Sequence, residues 1–238
     1  MRKGILVSLI AVAGMASVAS AQPFFDDFDS YTNGQNLHGV GGWLGWDGDP
    51  NSAGFATNAQ ANSAPHSLAI DGTAPAGNVS DLIQEFSTPG TGSYTLTVDT
   101  YFPRDSTGAQ FFIMLNRYSV GGSKNWSTQT HFDHSTGLVT ETDSGIPVSG
   151  SVPIVYDQWV PIEMVIDLDL DTVSFSYNGA SLFSGQPWSQ GGASDIGAVD
   201  LWSNFASVMY YDNFRLTPAP SALSLLALGG VLLLRRRR

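Results

Sequence analysis

The chain has no cysteine among its 238 residues, so neither a disulfide nor a thiolate metal site is available to it. A chain of this length can bury enough apolar surface without such staples, and packed aromatics have to take their place. Charge is scarce, at 13% of residues, and basic charge is scarcer. Of ten Lys and Arg, six (Arg2, Lys3, Arg235, Arg236, Arg237 and Arg238) lie at the extreme ends. The stretch between holds four basic residues against 21 acidic ones, a net charge of −17. Such a surface repels phosphate backbones and anionic lipid, which excludes nucleic acid as a partner. It suits a solvated extracellular protein or one that meets divalent cations. No apolar run reaches the roughly 20 residues that span a bilayer comfortably. Neither a Gly-x-Ser-x-Gly elbow nor a phosphate-binding loop is present. Glutamate is confined to Glu85, Glu141 and Glu163, so a carboxylate pair for glycoside hydrolysis has to involve aspartate.

What the chain does have is 26 Gly, 12 Pro, 13 Phe, 8 Tyr and 6 Trp, the balance of a turn-rich all-β protein of one domain. The clearest pattern runs from Gln158 to Phe183. Ile162, Met164, Ile166, Leu168 and Leu170 alternate with mostly polar residues, and Val173, Phe175 and Tyr177 repeat the pattern before Asn178-Gly179. Asn-Gly supplies the two positive φ angles of a type I′ turn, so Phe175 and Phe183 are expected on paired strands. Further strands are expected over 66–71, 79–86, 93–102, 110–120, 198–203 and 206–216, with a hairpin joining 126–132 to 137–142. Residues 110–120 place Phe111, Ile113 and Leu115 on one face and Phe112 and Met114 on the other, as in a strand buried on both sides. The expected fold is an all-β antiparallel β-sandwich of about ten or eleven strands over 22–217.

The two ends read as addresses. Arg2-Lys3 precedes an apolar run over 4–18, and Ala19-Ser20-Ala21 is the small-x-small pattern that signal peptidase requires, with cleavage between Ala21 and Gln22. At the other end Pro218-Ala219-Pro220 leads into 14 mostly apolar residues and then Arg235, Arg236, Arg237 and Arg238, an order that leaves the preceding domain outside the cytoplasm. This tripartite tail resembles the bacterial PEP-CTERM sorting signal, with Ala219 in the place of its Glu. The resemblance implies export, processing by an exosortase-type enzyme, and a location at the cell surface or extracellular matrix with at least transient anchoring in the cytoplasmic membrane. A plain C-terminal membrane anchor is the alternative. A signal helix over 1–21 and a hydrophobic helix within 218–238 would then flank the sandwich.

Phe25-Asp26-Asp27-Phe28, His66-Ser67-Leu68, Gln158-Trp159 with Tyr177-Asn178-Gly179, and Tyr211-Asp212-Asn213-Phe214-Arg215-Leu216 together look like the concanavalin A-like, laminin G-like jelly roll. That resemblance implies the fold and says little of function.

Four groups of residues are candidates for chemistry. Asp167, Asp169 and Asp171 alternate as along one strand, yet lack the Glu-x-Asp-x-x-Glu of laminarinase-type glycosidases of this fold, and read as a solvated strand end. Asp26, Asp27 and Asp29 near one terminus and Asp212 with Asn213 near the other would meet if the terminal strands are neighbours, and could gather oxygens around one structural Ca²⁺. His131, Asp133 and His134 read as a polar hairpin tip. Trp43, Trp46 and Trp188, in Gly-rich loops, are expected to present ring faces to sugars, whereas Trp159 and Trp202 sit inside strand patterns and are assigned to the core. The function expected is that of an exported, non-enzymatic surface protein binding glycan or exopolysaccharide. A glycoside hydrolase or polysaccharide lyase, and a purely structural surface protein, are the alternatives.

Overall fold

The computed structural model describes residues 23–73, 80–88, 90–142 and 150–219. Fifteen strands are found among them. They are β1 (Phe24–Asp26), β2 (Trp43–Gly45), β3 (Phe55–Thr57), β4 (Ser67–Ile70), β5 (Asp81–Glu85), β6 (Ser93–Tyr101), β7 (Ala109–Arg117), β8 (Asn125–Asp133), β9 (Leu138–Glu141), β10 (Ser151–Pro153), β11 (Val160–Asp167), β12 (Thr172–Tyr177), β13 (Ala180–Pro187), β14 (Ala198–Asn204) and β15 (Met209–Pro218). Two short 3₁₀ turns, Trp46–Gly48 and Pro50–Ser52, are the described helical elements. The signal helix and hydrophobic tail helix expected from the sequence fall outside the described residues, as do Ala21, Gln22, Pro220, Arg235, Arg236, Arg237 and Arg238. Among the described residues no helix is long and apolar enough to cross a membrane.

The strands form two antiparallel sheets. One has the order β13-β12-β11-β6-β15-β4-β3, with β1 added alongside β15; the other runs β10-β9-β8-β7-β14-β5-β2. The interior strand β11 shows why the sheets stack. Val160, Ile162, Met164 and Ile166 are buried while Pro161, Glu163 and Val165 point outward, the period-2 pattern of a sheet with one wet face. The hairpin between β12 and β13 forms as expected. Asn178 and Gly179 have φ of 49° and 74°, Phe175 pairs with Phe183, and their rings stack at 5.7 Å. Pro218, expected at the start of the tail, is the last residue of β15 and pairs with Tyr94.

Asp167, Asp169 and Asp171 do not share a strand face. β11 ends at Asp167, whose Oδ1 accepts from the backbone N–H groups of Asp169 and Leu170 at 3.1 and 2.9 Å. Asp171 accepts from Ser189 instead. The turn is closed by local carboxylate capping, which strand periodicity does not reveal.

The inner core is aromatic, and its most connected member joins the sheets. Trp43 of β2 is fully buried, 5.6 Å from Phe214 and 5.8 Å from Phe28. Its Nε1–H donates to Asp26 Oδ2 of β1 at 2.8 Å. Tyr31 donates its hydroxyl to the same oxygen at 2.5 Å, and Phe28 N–H caps Oδ1 at 2.8 Å. Bonds to a buried carboxylate are worth more than neutral ones, and losing the acceptor leaves two buried donors unmet. Asp26→Ala is expected to destabilise the fold by about 2–4 kcal/mol and Trp43→Ala by about 3–5 kcal/mol. Urea unfolding monitored by tryptophan fluorescence checks both, and an Asp26→Ala midpoint equal to that of the parent would show the link to be dispensable.

Candidate functional site

In a sandwich the outward residues of each strand are ordinarily polar. The seven-stranded sheet breaks this rule. On its outer face Ile83, Ile113, Leu115, Tyr118 and Ala198 form a second buried apolar cluster, with Trp46, Phe111 and Trp202 packed against it. β7 explains the arrangement. Phe112 and Met114 point into the inter-sheet core while Ile113 and Leu115 point the other way, so the strand is buried on both faces, as its sequence implies.

Two aromatic groups cap this cluster. Trp202, Phe111 and His131 lie directly opposite one another on β14, β7 and β8. Their rings stack at 4.6 and 4.7 Å with interplanar angles of 23° and 11°. That spacing equals the strand spacing, so the three rings stand upright like plates in a rack and turn their edges to solvent. The second group is built by the turn after β2. Trp46 stacks on Trp126 at 6.4 Å and meets Tyr118 edge-on at 5.4 Å. Lys124 Nζ lies 5.0 Å from the Trp46 ring and 5.4 Å from that of Tyr118, and 2.6 Å from Asp47 Oδ1. Asp47 also accepts from Gly121 N–H at 3.0 Å, and its own N–H donates to Tyr118 Oη at 2.9 Å. The bond from Lys124 and that from Gly121 hold the Asp47 carboxyl below its ordinary range.

Beside the rack stand two aspartates on adjacent strands. Trp202 pairs with Asp81 and Asp200 with Ile83, which makes Asp81 and Asp200 diagonal neighbours on the outer face. Asp200 is 3% exposed. Neither Oδ1 has a hydrogen-bond partner among the described residues, and each carboxyl acts on the titration of the other. Burial and the closeness of two like groups favour keeping one proton on the pair. Burial pushes Asp81 up to about 6, and burial together with the adjacent Asp81 raises Asp200 well above the ordinary range. Burial lowers His131, which leaves the end of the rack uncharged at neutral pH.

The tryptophans expected to meet sugars divide. Trp46 lies on the outer face, half-buried. Trp43 and Trp188 are corrections: both are fully buried, Trp43 bonded to Asp26 and Trp188 donating its Nε1–H to Asp195 O at 2.9 Å. Gly-rich neighbours suggested exposed loops, but the polar atom of each indole finds an internal acceptor and lets the ring pack inside. Trp202, assigned to the core, is half-exposed on the rack, and Trp159 is half-exposed against Tyr101. Trp126, a tryptophan at the start of an expected strand, joins Trp46 on this face, and Phe111, expected only as part of an apolar strand face, stands in the rack.

The aspartates considered for calcium divide as well. β1 does pair with β15, setting Asp26 opposite Phe214, but Asp26 is committed to Trp43, Tyr31 and Phe28. Asp212 accepts from Asn62 N–H, Ser63 N–H and the Ser63 hydroxyl at 2.7–2.9 Å. Asp27 Oδ1 accepts from Asp29 N–H and Asp29 Oδ1 from His66 N–H. Among the described residues no group of three or more His, Asp or Glu is placed to hold a metal ion. His134 is also engaged, its ring nitrogens 3.2 Å from Tyr156 Oη and 3.4 Å from Gln110 Oε1.

Neither a family model nor a curated protein matches the chain by sequence. Solved structures do. A "Cellulose induced protein, Cip1" superposes with a TM-score of 0.52 at 13% identity, over 82% of this chain and 97% of that one. The alginate lyase Aly36B superposes at 0.50 and 14%, over 84% and 98%. A Trypanosoma rangeli sialidase mutant displaying trans-sialidase activity superposes at 0.50 and 13%, over 72% of this chain and only 28% of that protein. At these identities the likeness shows the fold alone, a jelly-roll sandwich.

The raised carboxyls make stability depend on pH with a definite sign. Carboxyls raised in the folded state add stability that is fully present below the unfolded value near 3.8 and is lost as pH rises through the folded one, about 6 for Asp81. His134, which burial pulls down to about 4, acts oppositely between 6.5 and 4, and equally in any variant that leaves it alone. Asp200→Asn is therefore expected to gain stability relative to the parent between pH 5 and pH 8. Thermal unfolding of both proteins across that range checks it, and parallel curves would mean that Asp200 is not raised in the folded protein.

Proposed function

We propose that this chain is an exported, carbohydrate-binding sandwich protein that holds a polysaccharide against the outer face of its seven-stranded sheet. The observation that carries the reading is the aromatic and apolar cluster on that face, where strand alternation alone calls for polar residues. Indole rings with one apolar face and one polar edge suit the alternating CH and OH surfaces of sugars. The names of the similar structures, an alginate lyase and a sialidase among them, support a carbohydrate ligand. The tail, with Pro218, Pro220 and Arg235 to Arg238, is proposed as the signal that an exosortase-type enzyme reads after signal peptidase has acted, leaving the domain at the cell surface or in the matrix. Calcium is not required by this reading.

A second reading, cleavage of the bound glycan, is favoured by one pair of carboxyls. Asp47 is held ionised by Lys124 while burial raises Asp81 to about 6, a separation of two carboxyls in the sense that acid–base glycosidases use. The measurement that separates the readings is affinity electrophoresis of the full-length chain in gels containing neutral or acidic polysaccharides, followed by assay of the gel for new reducing ends and unsaturated products. Retention without products is expected. Trp126→Ala and Trp202→Ala should each weaken it about tenfold, Trp159→Ala on the other sheet should not, and a chelator should leave it unchanged. Unaltered mobility of both outer-face variants would move the binding site elsewhere. Products would establish the enzyme, and absence of retention in every gel a structural surface protein.

A further inference from the structure

The outer aromatic face ends in a cleft of about 220 Å³ where β5, β14 and β7 finish side by side. Gly197, which precedes the central strand of the three, lines this cleft and lets the β7 backbone come close. A Cβ on Gly197 would lie 2.9 Å from Arg117 Cα and 2.9 Å from Tyr118 N, so no other residue fits there without shifting the β7 backbone. Strands on both sides carry long side chains past this gap. Glu85 belongs to β5 and Arg117 to β7, with one strand between them and Arg117 two residues beyond the position opposite Glu85. Both are exposed, and among the described residues neither has an ion-pair partner. Asp195 stands at the entrance, on the loop that Trp188 fastens from below through Asp195 O. Beneath them lies Asn116, 0% exposed. Its Nδ2–H donates to Ser189 O at 2.7 Å, while its Oδ1 receives no hydrogen bond. A buried acceptor without a donor is costly, and here it lines an open cleft.

The wall chemistry selects the ligand. Glu85, Asp195 and Asn116 Oδ1 need donors, and Arg117 needs an acceptor. A hydroxyl group is both. A carboxylate would satisfy Arg117 only by standing between two like charges. The volume lies below the roughly 300 Å³ at which sites for drug-sized ligands begin, which leaves room for a single ring. Resting on the carbohydrate reading above, we infer that this cleft is a subsite for one neutral hexose unit of the bound glycan, with Arg117, Glu85, Asp195 and Asn116 sharing its hydroxyls, and that it discriminates against uronic acids. Tyr118 lines both the cleft and the Trp46 cluster, so the next unit of a chain leaving the cleft would run onto the aromatic face.

The test is an NMR titration of the isotope-labelled full-length chain with methyl glucoside, methyl galactoside and methyl mannoside, and with methyl glucuronide and methyl galacturonide. At least one neutral hexoside is expected to shift the amides of Arg117, Tyr118 and Gly197, and Arg117→Ala and Glu85→Ala, both at exposed positions, to weaken its binding about tenfold. Glu85→Gln with Asp195→Asn should bring uronides into the cleft. Tighter binding of a uronide by the parent, shifts confined to other surfaces, or no shift with any sugar would overturn the subsite. Polysaccharide retention that is lost in Trp126→Ala but unchanged in Arg117→Ala would overturn it while leaving the carbohydrate face intact. Absence of retention together with absence of shifts would overturn both.

Discussion

The contact on which the sandwich depends is the hydrogen bond from the Trp43 indole to Asp26. One partner sits on β1, which belongs to the eight-stranded sheet, and the other on β2, the edge of the seven-stranded one. In a chain without cysteine this buried bond and the rings around it do the joining that a disulfide does in disulfide-linked sandwiches. Its geometry reaches further than the core. With Trp43 fixed inside, the short strand and the turn after it bring Trp46 out onto the opposite face of the same sheet. The inner anchor therefore places one wall of the outer aromatic cluster.

That cluster has an electrostatic counterpart. Lys124 is the only lysine among the described residues, and it is spent on Asp47 and two aromatic rings instead of being left in solvent. The segment between Tyr118 and Lys124 is thereby fastened to the turn after β2 by three polar contacts to Asp47. Farther along the face, Asp81 and Asp200 avoid the cost of two buried charges by retaining a proton. A strongly acidic protein thus presents an outer face on which one carboxylate is neutralised by a lysine, one acid is kept protonated and the histidine is uncharged. Such a face can meet an uncharged polymer without repelling it.

The similar solved structures share this architecture at identities near 13%, and an architecture alone does not carry a function. The polar and aromatic groups of the outer face are contributed by strand positions, by one glycine and by two turns. Differences at such positions leave the core untouched and change what the surface can bind.

Much of this was legible in the amino-acid order. Alternation along 160–167, the Asn178-Gly179 turn and the pairing of Phe175 with Phe183 follow from local rules: a period of two, and a turn type that demands positive φ twice. The doubly apolar pattern of 111–115 already implied that the outer face of its sheet would be covered. What the sequence could not supply was which indoles do the covering. Trp43 and Trp188 stand among glycines and yet are buried, because acceptors 17 residues upstream and seven residues downstream meet their N–H groups. Trp202 stands in an apolar strand and yet faces outward, because its neighbours Leu201 and Ser203 take the inner side. Composition and periodicity determined a sandwich of half-buried strands without disulfides. The meeting of Asp81 with Asp200, the rack of Trp202, Phe111 and His131, and the cleft over Gly197 were decided only by which strands became neighbours, since pairing between strands distant in sequence is set by the packing of the whole core.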